Sequence, residues 1–215
     1  VHSQHDTLRL SSNSFQLGVI DSFCASQDLL ESYRLTFKEF RKNKKHIIMS
    51  TTQASKIEII KAPNTKINEV DFDNINFGSV FTDHLFECDF KNGEWQTPVI
   101  KPYAPILMDP SSKVFHYGQA IFEGMKANIS TRTGEPVLFR GSKHAKRFNI
   151  SSERLGMPEV PEDLFLEAIN SLLILDKKWI PQSPGSALYI RPFIFATDES
   201  LGVRASSTYK FIVFT

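Results

Sequence analysis

The sequence predicts an α+β fold, an antiparallel sheet packed with helices, and three observations carry that prediction. Strand-like segments come first, two amphipathic helical segments fill the middle, and strands return at the end. Short turn signals join neighbouring strands in the manner of hairpins. Nowhere does the chain alternate strand and helix as a parallel βαβ sheet requires.

The first 48 residues stand apart from this pattern. "VHSQHDTLRLSSNSF" has no periodicity, whereas "DLLESYRLTFKEFRKNKKH" sets Leu30, Tyr33, Phe37 and Phe40 at helical spacing and ends in basic residues. Met49 opens "MSTTQASK" as a natural start would, so residues 1–48 are expected to be an N-terminal extension, disordered or loosely helical, ahead of a domain over 49–215. Five acidic residues in the extension argue against a transit peptide, which is acid-poor.

From Lys56 onward the chain is compactly patterned. "HLFECDF" (His84–Phe90) and "WQTPVIK" (Trp95–Lys101) flank "KNGE", a hairpin signal. "MKANIS" and "PVLFR" flank "TRTGE" in the same way. Ser142 is expected to cap a helix over "GSKHAKRFNISSERLG" that Gly156 stops, with Ala145, Phe148 and Leu155 on one face. A second helix is expected over "PEDLFLEAINSLLILDKK", with Pro161 in the first turn, acids behind it and lysines in the last turn. The strands "ALYIRPFIFAT" and "TYKFIVFT" complete the sheet. The last of them is apolar up to Thr215, and the chain is expected to be cut short there.

Composition narrows the function classes. Of 215 residues, 41% are hydrophobic and 23% charged, and the formal net charge of +1 gives no electrostatic reason to expect nucleic acid or an anionic membrane as partner. Phenylalanine occurs 18 times against 2 tryptophans, which points to aromatic walls in core and pocket. Cys24 and Cys88 make no CxxC pair, and the six histidines lack ligand spacing, so neither a disulfide framework nor a zinc site is expected. With no signal peptide and no membrane-spanning run in view, a cytoplasmic location is expected.

Three stretches bear on chemistry. In "LYIRPF" a strand puts Tyr189 and Arg191 on the same face, which Phe193 and Phe195 continue. A phenol and a guanidinium over an aromatic layer form a carboxylate grip; a structural ion pair with a core-filling tyrosine is the other reading. Arg140 ends "VLFR" and precedes Gly141 and a helix start, so it suits either an anion site or a rim salt bridge. In "HYGQAIFEG" the glycines permit close backbone approach, and Tyr117 and Phe122 either wall an apolar pocket or pack a tight core turn. His116 reads as structural. No P-loop, GxGxxG, GxSxG or HExxH is present. The residues alone reach an apolar pocket for something anionic.

Taken together, "FGSVFTDHLFE", "DPSSKVFHYGQAIFEGMKA", "LFR", "RFNISSERLGMP", "WIP", "LYIRPFIFATDESLGV" and "YKFIVF" closely resemble, in family order, the N-terminal domain of the branched-chain amino acid aminotransferases. The resemblance implies the small N-terminal domain of the fold-type IV architecture and the cofactor pyridoxal 5'-phosphate. It also implies ping-pong transamination of leucine, isoleucine or valine with 2-oxoglutarate, amino acids and 2-oxo acids as small-molecule partners, and a homodimer. In the same terms Arg140 resembles the arginine that holds the cofactor phosphate. Tyr189 resembles the tyrosine bonded to the substrate α-carboxylate, and Arg191 the arginine that receives the side-chain carboxylate of glutamate. Tyr117 and Phe122 resemble pocket walls, Phe77 lies at the pocket edge, and Val203 resembles the residue that enters the neighbouring subunit's active site. The "FTDH" and "WIP" stretches favour this group over D-amino acid transaminases and aminodeoxychorismate lyases.

The resemblance also has departures. The family's Schiff-base lysine would lie beyond Thr215, and Lys126 in "EGMKA" matches a position that is not catalytic, so no catalytic residue is expected in the chain and the fragment is expected to be inactive alone. "LFRG" stands where the family more often has "LFRP", and "KANISTRTG" differs from the usual hairpin. The alternative is a non-catalytic binding or dimerisation module derived from the same domain.

Overall fold

The structure, a computed structural model, describes residues 57–215 apart from 73 and 184. The expected extension over 1–48, with its helix and Cys24, lies outside the described residues.

Among the described residues the strands are β1 (Glu58–Ile59), β2 (His84–Lys91), β3 (Glu94–Trp95), β4 (Val99–Pro102), β5 (Ala120–Phe122), β6 (Met125–Ile129), β7 (Pro136–Leu138), β8 (Leu188–Ala196) and β9 (Tyr209–Phe214). The helices are α1 (Lys113–Tyr117), α2 (Gly141–Arg154) and α3 (Glu162–Leu175). The sheet runs β1-β4-β2-β9-β8-β6-β7, with β3 on β2 and β5 on β8. Every pairing is antiparallel except β1 with β4 at the edge, so the α+β expectation holds with one parallel addition. Neither β1, β5 nor α1 was foreseen, because each is five residues or fewer and too short to show a period.

The first hairpin is tighter than expected. β2 and β3 meet at Phe90↔Trp95 and Lys91↔Glu94, leaving Asn92 and Gly93 as a two-residue turn with φ of 56° and 82°. Both values are positive, as a type I′ turn demands, and Asn-Gly is the pair that tolerates it best. Farther on, Gln96 bonds to Asp89 at 2.8 Å while Glu87 faces Val99, so the returning strand carries one extra residue near Pro98. The second hairpin forms as expected, Ile129 facing Pro136 and Ala127 facing Leu138.

Both longer helices cover one face of the sheet. Phe86, Ile100, Ile190, Ile194, Phe211 and Val213 bury against Ala145 and Phe148 of α2 and Phe165, Ile169 and Leu172 of α3. The rings of Phe148, Phe165 and Phe211 close a triangle with centroids 5.3, 5.7 and 5.9 Å apart, which locks helices to sheet through aromatic contact.

The helix ends correct two expectations. Ser142 does not cap α2 but lies within its first turn; the N-cap is Arg140, whose carbonyl accepts from Lys143 and His144 at 2.9 and 3.2 Å. Leu155 is exposed, and Ser152 takes the buried position instead, because the helix ends at Arg154 and turns Leu155 outward. Gly156 (φ 61°) then closes a Schellman motif, its N–H reaching Glu153 at 3.0 Å and that of Met157 reaching Ser152 at 2.9 Å. Pro161 stands at the N-cap of α3, one residue ahead of the first turn, and Lys177 and Lys178 fall in a 3-10 turn beyond Asp176.

"FTDH" and "WIP" turn out to touch. The Asp83 carboxylate accepts from the Trp179 indole at 2.9 Å, the Thr65 hydroxyl at 2.6 Å and the Lys66 N–H at 2.9 Å. Burial pushes this carboxyl up, and the three hydrogen bonds outweigh it, so its pKa lies below the usual carboxylate value. Beside it, His84 Nε2 accepts from the Ala62 N–H at 2.8 Å, which leaves Nδ1 to carry the proton it gives Asp176 at 2.6 Å.

Candidate functional site

β5 and β6 are two halves of one interrupted strand. Phe122 faces Phe193 and Met125 faces Ile190, so both halves keep the same register along β8. Only Glu123 and Gly124 intervene, opposite Pro192 and Arg191. Pro192 has no N–H to give, and its carbonyl takes the Glu123 N–H at 2.8 Å. A Cβ on Gly124 would lie 2.5 Å from the Tyr189 hydroxyl oxygen, so the glycine makes room for that phenol.

Tyr189 and Arg191 project from the face of β8 opposite the helices, since Ile190 and Ile194 occupy the helix side. The Arg191 guanidinium carbon lies 4.2 Å from the Phe122 ring centre and 5.3 Å from that of Tyr189. Phe77 meets Tyr189 edge-on at 5.0 Å. Aromatic faces are thus what this guanidinium packs on, which leaves its N–H fork suited to a planar anion. Phe122 and Phe77 are 64% and 75% exposed, so neither ring is filling for the core, and both border the open face around Arg191 and Tyr189.

The same face continues as a greasy floor. Phe193 stacks on Phe195 at 5.5 Å and meets Phe214 at 5.7 Å. A hollow of about 190 Å³ opens beyond it, lined by Leu85, Tyr103, Ile106, Phe193, Ile212 and Phe214. The sequence stretches around Tyr103 and Phe214 showed no chemical motif; their place in the site follows from strand order alone.

Tyr117 and the turn that carries Val203 form a second group. The Tyr117 phenol donates to the Leu201 carbonyl, and Val203, 90% exposed, stands two residues on in the same turn.

Arg140 stands at the start of α2, exposed, its guanidinium carbon 5.2 Å from the Phe139 ring centre. β7 and β8 both run antiparallel to β6, and Leu138 and Leu188 flank the same Ala127. The chain leaving Leu138 toward Arg140 therefore heads the same way as the chain leaving Leu188 toward Tyr189 and Arg191. Arg140 has φ 53°, a left-handed conformation costly for a residue with a side chain and common at ligand sites. A Cβ on Gly141 would lie 2.9 Å from the Leu166 Cδ2 methyl of α3, so a larger residue there would have to displace the end of that side chain. An exposed guanidinium beside the unbonded N–H groups of a 14-residue helix fits a phosphate group. Among the described residues no His, Cys, Asp and Glu cluster could hold a metal ion.

So Phe77, Phe122, Tyr189 and Arg191 are in direct contact, Tyr117 is bonded to the turn that carries Val203, and Arg140 stands apart. Sequence reasoning missed the buried Glu123. Its carboxylate takes Arg147 Nε at 2.5 Å, Arg147 Nη2 at 2.6 Å and His144 Nδ1 at 2.9 Å, tying the strand break to α2. Burial raises this carboxyl, and the hydrogen bonds from Arg147 and His144 together with the Arg147 charge more than offset it, holding it below the ordinary value. The available signal was His144 and Arg147 three apart on one helix face.

No helix among the described residues is long and apolar enough to cross a membrane. No family model matches the chain. The branched-chain-amino-acid transaminase 1 of Bacillus subtilis is 50% identical over 141 residues, 65% of this chain and 39% of that protein. The branched-chain-amino-acid aminotransferase 2 of the same organism is 44% identical over 164 residues, 76% of this chain and 44% of that one. Among solved structures, the Escherichia coli branched-chain amino acid aminotransferase is 25% identical with a TM-score of 0.47, covering 62% of this chain and 40% of that chain. The chain spans about two-fifths of the length of the relatives it matches.

Proposed function

We propose that this chain, a homologue of the branched-chain amino acid aminotransferases over about two-fifths of their length, is the part of such an enzyme that seats the substrate and the cofactor phosphate. The observation that carries this reading is the contact set of Arg191, Tyr189, Phe122 and Phe77: one cation and one phenol inside an aromatic box.

Such a box answers a specific problem. A transaminase working on leucine, isoleucine or valine and on glutamate must accept an aliphatic chain and a carboxylate in one pocket. Phe122 and Phe77 provide apolar contact for the first. Arg191 offers two parallel N–H donors to the second, and its cation already rests on ring faces when no carboxylate is present, so it is not left bare. Tyr189, held against Gly124, directs its hydroxyl to the α-carboxylate. Tyr117 supplies a further wall, and Arg140 with the α2 N-terminus holds the phosphate of pyridoxal 5'-phosphate. When bound, that cofactor supplies the electron sink for amino-group transfer. Val203 reaches the pocket of a second copy in a homodimer. The chain as given, without a lysine in the catalytic role, has no transaminase activity of its own.

The test is transamination by the protein expressed from the complete open reading frame, with leucine, isoleucine and valine as donors and 2-oxoglutarate as acceptor. Turnover of all three, lost in the isolated 215-residue chain, is the expected result. Exclusive use of D-amino acids, or a folded dimer with no turnover, overturns it.

A further inference from the structure

We propose that Lys113 is a positioning residue that fixes the turn carrying Val203, an inference that rests on the reading of Val203 as an element reaching a second copy. Lys113 is 1% exposed, an unusual place for an ammonium group, and burial of a charge demands compensation. It comes from backbone: Nζ donates to the carbonyls of Gly202 and Arg204, each at 2.8 Å. Those two residues flank Val203.

The grip has several points. The backbone N–H of Lys113 donates to the Asp198 carbonyl at 2.9 Å, so one residue holds both the entry and the tip of the turn. One helical turn along, Tyr117 donates its phenol to the Leu201 carbonyl. The Gly202 carbonyl also accepts the Arg204 N–H at 3.0 Å, which centres a three-residue turn on Val203. Across the base, Asp198 Oδ1 accepts from the hydroxyls of Ser207 at 2.8 Å and Thr208 at 3.0 Å. The carbonyls of 201, 202 and 204 are all drawn inward, while Leu201 and Val203 remain 62% and 90% exposed. The segment is thus an apolar tip held from within by a buried cation.

A merely solvated loop needs no such cation, and a lysine filling core volume needs no carbonyls. Removing the ammonium should free the turn without unfolding the sheet, since the hydrogen bonds of Lys113 Nζ go to this segment alone and not to the strands. Arg204, with a 68% exposed side chain, provides the readout, because trypsin cleaves after it once the turn opens.

In the full 215-residue chain, Lys113→Met is expected to be cut at the Arg204–Ala205 bond about tenfold or more faster than the parent, with the thermal midpoint nearly unchanged. Lys113→Arg, which keeps charge and donors, is expected to stay resistant. Cleavage of Lys113→Met at the parent's rate, or of Lys113→Arg as fast as Lys113→Met, overturns the proposal. Should Lys113→Met fail to fold, acetic anhydride labelling of the parent decides: Lys113 must react far more slowly than exposed Lys126, and equal rates overturn the proposal. Sedimentation of Val203→Ala tests the underlying reading separately, since unchanged self-association removes the role of Val203 and leaves the protease result standing.

Discussion

The guanidinium carbon of Arg191 sits 4.2 Å from the ring centre of Phe122, beside the break between β5 and β6. That relationship joins "HYGQAIFEG" and "LYIRPF" into one site. It also sets up the first test. In the full-length transaminase assay, Arg191→Gln is expected to lower kcat/KM for glutamate by about ten- to a hundredfold, as loss of a charge-assisted hydrogen-bond pair does, while leucine loses far less. Equal losses for both donors would place Arg191 in packing alone.

Gly124→Ala adds a methyl group 2.5 Å from the Tyr189 hydroxyl oxygen. Overpacking of this sort costs about 1–3 kcal/mol. Urea unfolding should show that loss, and the double variant with Tyr189→Phe should recover part of it, because the atom nearest the new methyl is gone. Additive losses would mean that the two side chains do not meet.

Acid should weaken the chain through Glu123. Its folded pKa lies below its ordinary value of 4.5, so its contribution to stability is complete above the unfolded pKa. That contribution is lost as pH falls from near 4.5 through the lower folded value. Glu123→Gln should therefore cost about 1–3 kcal/mol at pH 7 and flatten the acid limb of a stability-versus-pH curve, measured by chemical denaturation. A limb as steep as the parent's would exclude Glu123 as its source.

Cys88 is buried in β2, and burial together with the neighbouring Asp89 charge pushes its thiol up to about 12. Only the thiolate reacts readily, so in a Cys24→Ser chain the remaining thiol should be silent to a disulfide reagent at pH 8 and titrate fully in urea. Prompt reaction in the folded chain would contradict the burial.

Asp83 and Trp179 are bonded across 96 residues. Trp179→Phe keeps the ring and removes the donor, so it should lower stability by about 0.5–1.5 kcal/mol, the net worth of one hydrogen bond. A thermal midpoint equal to the parent's would show the bond to be incidental.

Local chemistry determined much of this protein from its sequence. Asn92–Gly93 dictates a two-residue turn because both positions need positive φ, Gly156 ends α2 for the same reason, and alternation along "LYIRPF" places Tyr189 and Arg191 on one side. Each of these follows from residues within a few positions of one another. The tertiary structure alone decided the rest. That Glu123 bonds Arg147, that Lys113 grips the carbonyls around Val203, and that Ser152 and not Leu155 enters the core depend on which strands and helices become neighbours. Charge, size and hydrogen-bonding capacity are written in the residues, but the partner that satisfies a buried charge is chosen by the folding of distant segments onto one another.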